Sequence, residues 1–252
     1  MWSGLDVLIT GATGGIGQPL CEALIARGAN VIVHGRHAHE VDEVASRLGM
    51  RGLPCDLASL AAVRDVALPK VDVLINNAGV GFGANQTLRE VSDDGIELRL
   101  AVNYLAPVLL TQRFENLRAI VNVASAGQRK IDFDDLLLED EYDGIVAYRR
   151  SKLAMVMWSF DLAVAQPTPV ISLHPGTFLD TGMVRQSGIT PLGTAQHGAE
   201  MVRIAAERAL AGVTNTYYDE LVPASADAQA YDERARQMLR ERTAELLAPF
   251  IA

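Results

Sequence analysis

The sequence is poor in cysteine, in lysine and in basic charge, and each shortage removes a class of explanation. Its two cysteines, Cys21 and Cys55, match no metal-ligand spacing and are too few for a disulfide scaffold. They are expected as small buried apolar residues in a reducing, cytoplasmic setting, and no metal site is expected. Twenty-two Lys and Arg against 31 Asp and Glu give a formal charge of -9, which repels nucleic-acid phosphates and anionic bilayers. Neither nucleic acid nor membrane is therefore an expected partner. No apolar stretch reaches the roughly 20 residues of a membrane-spanning helix. A signal peptide does not fit the N-terminus either, because Gly11 follows directly on the apolar run from Leu5 to Thr10. What the chain does have is 49% hydrophobic residues in a length of 252, enough for one sizeable core and a single domain over residues 1–252.

Apolar runs of strand length alternate with longer stretches of helical period. The runs are Leu5 to Thr10, Asn30 to Val33, Val71 to Ile75, Ala119 to Val123 and Val170 to Leu173. Several lack polar alternation, as strands buried on both faces do. Helices are expected near 15–27, 39–48, 95–114, 147–165 and 196–211, with a short one near 59–67. Strand and helix taking turns require crossovers, so the expected fold is a Rossmann-type, doubly wound α/β domain with about seven parallel strands and helices on both faces. The Gly-, Thr- and Pro-containing segment 176–198 suits a flap over a site, and the charged stretch 227–247 reads as an amphipathic helix packed on the body.

Between the first strand and first helix lies Thr10-Gly11-Ala12-Thr13-Gly14-Gly15-Ile16-Gly17. Glycine is needed where a backbone turns with positive φ and where it approaches a pyrophosphate too closely for a side chain. The helix start then offers free amides to phosphate, so Gly11, Thr13, Gly14, Gly15, Ile16 and Gly17 are candidate dinucleotide ligands. The second strand ends at His34-Gly35-Arg36-His37, without the acid that usually meets the ribose of NAD. Arg36 can instead clamp a 2′-phosphate, which favours NADP. Two roles fit Asp56: accepting from an adenine amine, or capping the short helix that follows.

Of only three lysines, Lys152 stands four residues after Tyr148, on one face of a helix. Six tyrosines and three lysines produce such a pair by chance only about 0.07 times. A phenol near pKa 10 relays protons poorly at neutral pH unless a cation steadies its phenolate, and Lys152 is expected to do so. Ser125, just past the fifth strand, falls at the sheet edge where ligands bind; its hydroxyl suits either a substrate oxygen or a strand-end cap.

With these motifs in order, the chain resembles the classical short-chain dehydrogenase/reductase family along nearly its whole length. The glycine turn is similar to that family's T-G-x-x-x-G-x-G, Asp56-Leu57 to its adenine pair, Asn76-Asn77-Ala78-Gly79 to its N-N-A-G, and His174-Pro175-Gly176 to its P-G turn. Asn103, Ser125, Tyr148 and Lys152 fall where the family has its catalytic four. The resemblance implies NADP(H)-dependent carbonyl reduction. Hydride passes from the nicotinamide to a carbonyl carbon, Tyr148 protonates the oxygen, and Ser125 orients it. Lys152 lowers the Tyr148 pKa, and Asn103 holds a relay water. It also implies Leu57, Asn77, Ala78, Gly79, Pro175 and Gly176 as cofactor-binding residues. Arg36, the phrase Ile131-Asp132-Phe133-Asp134-Asp135-Leu136 and the C-terminal helix look like the retinol dehydrogenase-like branch. Thr181 stands one residue further from Pro175-Gly176 than that branch's flap threonine.

Gly11, Gly14 and Gly17 also fit the spacing of extended members that epimerise or dehydrate nucleotide sugars. Against this, only about eighty residues follow the sixth strand, too few for a sugar-binding domain. A dinucleotide-binding sensor or scaffold without turnover is the other alternative. Phe82, Phe133, Phe178, Leu179, Met183, Val184 and Ile189 either line a pocket for an apolar or aromatic carbonyl compound or belong to the core. A homodimer or homotetramer is expected by the resemblance, with the helix of Tyr148 and Lys152 as a candidate seam.

Overall fold

The computed structural model describes residues 1–251, and its sheet grows from the apolar runs. The strands β1 (Asp6–Ile9), β2 (Asn30–Gly35), β3 (Arg51–Pro54), β4 (Val73–Asn76), β5 (Ala119–Val123), β6 (Val170–His174) and β7 (Thr216–Asp219) are all parallel to their neighbours. A two-residue β8 (Val222–Pro223) adds an antiparallel edge, giving the order β3-β2-β1-β4-β5-β6-β7-β8. The eighth strand adds to the expected seven. β3 and β7, with sequences RGLP and TYYD, fall outside the five apolar runs because Gly, Pro and Asp interrupt them. The register sends Leu8, Leu74 and Ile120 to one face and Val7, Ile9, Val73, Ile75 and Val121 to the other. That two-faced burial is why the strands read as unbroken apolar runs.

On the second face lie α1 (Gly17–Ile25), α2 (Ala38–Leu48) and α8 (Ala195–Leu210). The first is covered by α3 (Leu60–Asp65), α4 (Leu98–Leu100), α5 (Ala106–Gln112) and α6 (Gly144–Ala165). The helix expected over 95–114 begins only at Leu98, since the chain first makes a tight turn at Gly95 (φ +78) in which Ser92 N–H donates to the Ile96 carbonyl. Between α4 and α5 it loosens into a π-helical stretch, Ala101–Leu105. Meanwhile α6 starts three residues before its expected 147 because Asp143 caps it, its carboxylate accepting from the Ile145 and Val146 amides.

Within the expected flap, α7 (Gly182–Gln186) is capped by Thr181, and a bridge pairing Leu179 with Gly193 closes the root. After a 3₁₀ turn at Ala228–Tyr231, α9 (Glu233–Leu247) lies against α6. Asp161 of α6 takes Arg236 at 3.0 Å and Arg240 at 2.7 Å, and the Tyr104 and Thr243 hydroxyls meet at 2.7 Å in the interior. Among the described residues, no helix is long and apolar enough to cross a membrane. Because β1 is flanked by β2 and β4, successive crossovers diverge there and leave a crevice beyond the carboxyl ends of β1 and β4.

Candidate active site

The glycine turn sits at that crevice, and its glycines have different reasons to be there. A Cβ on Gly17 would lie 2.1 Å from the Gly11 carbonyl oxygen, and one on Gly11 (φ +66) 2.9 Å from Ala78 Cα. These two serve close packing. A Cβ on Gly14 would meet nothing within 4 Å, so its side faces open space. The amides of Thr13, Gly14, Gly15 and Ile16 donate to no backbone carbonyl, and α1 carries no acidic side chain in its first turn. Unpaired N–H groups at a helix start, with no competing carboxylate, fit a pyrophosphate. Asn77 ties this turn to β4: its side-chain amide donates to the Thr10 carbonyl at 2.8 Å, while the Asn77 and Ala78 amides donate to the Thr10 hydroxyl at 2.9 and 3.0 Å. The Thr10 hydroxyl is thus an organising group of the site that the sequence motif includes without explaining.

At the end of β2 a side chain at position 35 would be crowded. A Cβ on Gly35 would fall 2.6 Å from Thr13 Cγ2 and 3.0 Å from Val41 Cγ2. Arg36 is exposed, its Nε donating to His37 Nε2 at 3.0 Å. Asp56 does not cap the short helix; its carboxylate accepts from the Ala58 amide at 2.9 Å, and Ser59 takes the capping role. Leu57 is packed in the core with its side chain almost fully buried.

Beside the turn the four expected catalytic residues converge. The π-helical stretch turns Asn103 so that its carbonyl accepts from the Val80 amide at 2.8 Å and its NH₂ donates to the Val80 carbonyl and to Ser151 Oγ, both at 3.0 Å. Ser151 Oγ in turn donates to the Tyr148 carbonyl at 2.7 Å. Asn103 therefore positions both the Asn77–Val80 loop and the first turns of α6, a linkage through Ser151 that the Tyr-x-x-x-Lys spacing contains but does not announce. Lys152 is 3% exposed, donates to the Val123 carbonyl at 2.8 Å and stands 5.9 Å from the centroid of the Tyr148 ring. Burial pulls its pKa down to about 8.

The expected lowering of the Tyr148 pKa by Lys152 does not appear. Burial pushes the phenol above its ordinary value, with a hydrogen bond to Ser125 opposing it, while the ammonium is turned to the Val123 carbonyl. Ser125 Oγ also accepts from the Gly127 amide at 3.0 Å, and its carbonyl is held by Tyr217 Oη at 3.0 Å and Gln128 Nε2 at 2.9 Å. Both readings of Ser125, cap and substrate donor, are compatible with this placement.

The segment after β6 lies over the cleft. Gly176 takes φ +128 beside Leu179 and His197, and Pro175 precedes it at the sheet edge. The Thr181 methyl is 3.4 Å from where a Gly15 Cβ would be, so the displaced threonine still reaches the glycine turn. Met183 covers Gly79 and Gly81, and Phe82 meets the Tyr148 ring edge-on with centroids 5.0 Å apart. Of the other candidate pocket residues, Leu179 is core and Phe133 lies away from this group, lining a groove of about 270 Å³ with Met238, Glu241 and Arg242. The chain beyond Ser125 leads Phe133 to α9 instead.

Residues 6–191 match the family described as short chain dehydrogenase. Human retinol dehydrogenase 13 is 31% identical to the chain over 97% of its length and 85% of the relative's. A candidate daunorubicin C-13 ketoreductase of Streptomyces sp. (strain C5) is 33% identical, covering 86% of this chain and 83% of that protein. Among solved structures, a blue fluorescent protein from a metagenomic library, in complex with NADPH, superposes with a TM-score of 0.68 at 26% identity over 86% of this chain and 96% of the other.

Proposed function

Because the chain belongs to the short-chain dehydrogenase/reductase family and is an oxidoreductase of CH–OH and C=O groups, we propose that it reduces a ketone or aldehyde with NADPH, using Tyr148 as the proton donor. The observation that carries this reading is one cluster: Ser125, Tyr148, Lys152 and Asn103 gather beside a turn whose amides are free for phosphate. A nicotinamide dinucleotide bound in the crevice supplies the hydride. Gly11, Thr13, Gly14, Gly15, Ile16 and Gly17 would hold its pyrophosphate, Asp56, Leu57, Asn77, Ala78 and Gly79 its adenosine half, and Pro175 and Gly176 the turn at its other end.

A phenol with its ordinary pKa near 10 already holds its proton at neutral pH, burial of Tyr148 pushes in the same direction, and a reduction needs that proton on the phenol until the carbonyl oxygen gains charge. Ser125 Oγ, close enough to the same phenol to oppose the rise of its pKa, orients that oxygen. Lys152, 5.9 Å from the centre of the ring, stabilises the phenolate once the proton has left. Asn103 holds the loop and helix that frame the transfer. The sign of the expected effect follows: Tyr148→Phe abolishes carbonyl-dependent loss of NADPH absorbance while NADPH affinity is nearly unchanged. Unchanged turnover would remove the assignment.

NADPH over NADH is supported by the space at Gly35, which has no room for a carboxylate, and by the exposed guanidinium of Arg36. Arg36→Asp is expected to raise KM for NADPH far more than for NADH. Phe82 and Met183 give the reacting end an apolar lining, which supports an apolar or aromatic substrate. Cytoplasmic residence is part of the same reading, supported by the free, buried Cys21 and Cys55. Self-association is proposed to avoid the far half of α6, where α9 already packs.

A further inference from the structure

Arg99 is among the largest fully buried side chains of the protein, at 1% exposure, and the reading above gives it no task. Its guanidinium donates from Nε to the Gly81 carbonyl at 2.9 Å, from Nη1 to Tyr142 Oη at 2.9 Å and Glu97 Oε1 at 3.4 Å, and from Nη2 to Glu90 Oε2 at 2.5 Å. Tyr142 Oη donates to Glu97 Oε1 at 3.0 Å, and the other Glu97 oxygen accepts from the Leu100 amide at 2.8 Å. A buried charge network of this kind seldom repays its desolvation in stability alone. What it grips is therefore informative.

It grips the loop that follows Gly79. A Cβ on Gly83 (φ +83) would lie 2.5 Å from Arg99 Nη2, so glycine lets the guanidinium lie against the backbone. Between Gly81 and Gly83 stands Phe82, whose ring packs edge-on against Tyr148. The Phe82 carbonyl is 2.3 Å from where a Gly144 Cβ would be, and the Gly144 amide donates to the Gln86 carbonyl at 2.8 Å. The loop is thus seated on the first turn of the helix that carries Tyr148. We infer that Arg99 is a positioning residue for the proton donor: it fixes Gly81, and through Phe82 the orientation of the Tyr148 ring. Glu97 and Tyr142 fix the orientation of the planar guanidinium from its Nη1 side. This rests on the reading of Tyr148 as proton donor.

A double-mutant cycle tests it. Arg99→Lys keeps the charge and loses the planar fork, and Phe82→Leu keeps apolar bulk and loses the ring contact. Each is expected to lower kcat for carbonyl reduction about tenfold to a hundredfold, the range set by small displacements of a reacting group. NADPH Kd should stay within about twofold. The double variant should be no slower than the slower single, because both changes break one path. Additive losses, or wild-type kcat in Arg99→Lys, would overturn the inference. Tyr142→Phe, which removes the two hydrogen bonds of the Tyr142 hydroxyl and leaves Arg99 its bonds to Gly81, Glu90 and Glu97, is expected to show a smaller kcat loss and covers the case in which Arg99→Lys does not fold.

A readout without turnover separates this inference from the functional reading. With tyrosine labelled at its ζ carbon, the NMR signal missing from Tyr148→Phe identifies Tyr148. That signal should move in Arg99→Lys, in Phe82→Leu and, less, in Tyr142→Phe, while the Tyr104 signal stays. A wild-type protein that reduces no carbonyl but shows those shifts would remove the function and leave the positioning. Normal turnover with an unmoved signal would remove the positioning alone.

Discussion

Lys152 and His34 both titrate where water does not reach, with different consequences. Burial holds Lys152 near pKa 8, below its ordinary 10.5, so the ammonium is lost as pH rises past that value. If that cation steadies the phenolate, kcat/KM for reduction falls above about pH 8, since this ratio reports groups of the free enzyme; a profile flat to pH 10 in the wild type would rule it out. His34 is buried with Nδ1 accepting from the Gly11 amide at 3.4 Å, and burial lowers its pKa from 6.5 to about 4. The unfolded chain therefore binds the proton first as pH drops. Stability attributable to neutral His34 is complete above about pH 6.5 and is lost progressively toward pH 4, about 3 kcal/mol in all. Urea midpoints across that window should fall more steeply in the wild type than in His34→Gln. At this scale the sequence shows Tyr148 and Lys152 because a helix puts residues four apart on one face. It does not show Thr10, Ser151 or Arg99 as organisers, because each meets a partner 40 or more residues away (Asn77, Asn103 and Tyr142 respectively) and only the folded chain brings them near.

The strand–turn–helix element makes a sharper claim than its motif, since its glycines are not equivalent. Gly14→Ala puts a methyl group into open space and should leave the thermal midpoint almost unchanged, yet weaken NADPH binding roughly tenfold or more by crowding the phosphate approach. Gly17→Ala drives a methyl group into the Gly11 carbonyl and should lower the midpoint and abolish binding together. Calorimetry and NADPH fluorescence titration on the two variants check the contrast; parallel losses would show that both glycines only serve packing. Helix existence was legible here from apolar period. Helix starts were less so, because Asp143 and the Gly95 turn act through caps and local hydrogen bonds that periodicity does not register. The π-helical stretch that aims Asn103 leaves no trace in the spacing, since residues 99–111 are buried on every side and carry no polar stripe for an inserted residue to displace.

For the molecule as a whole, the alternation of buried runs with amphipathic stretches is enough to imply a doubly wound sheet. It does not disclose what covers α6, because α9 carries a charged pattern that reads only as packed on the body. Leu239 and Leu247 of α9 are buried, and each fully buried leucine contributes about 1.5–3 kcal/mol. Removing residues 233–252 would bare that apolar face together with Tyr104 and is expected to lower the thermal midpoint and to produce self-association. Sedimentation of the truncated and full-length chains checks this, and a truncated chain that sediments as the full one does would show that α9 is dispensable for solubility. Finally, the crowding of Gly35 by Thr13 and Val41 joins two strand ends far apart in sequence. Any side chain at position 35, including an acid that would meet an unphosphorylated ribose, forces Thr13 or Val41 to shift or shrink as well. On the proposed NADPH reading, Gly35→Asp alone is therefore expected to weaken NADPH binding without gaining NADH binding, and fluorescence titration with both coenzymes checks it.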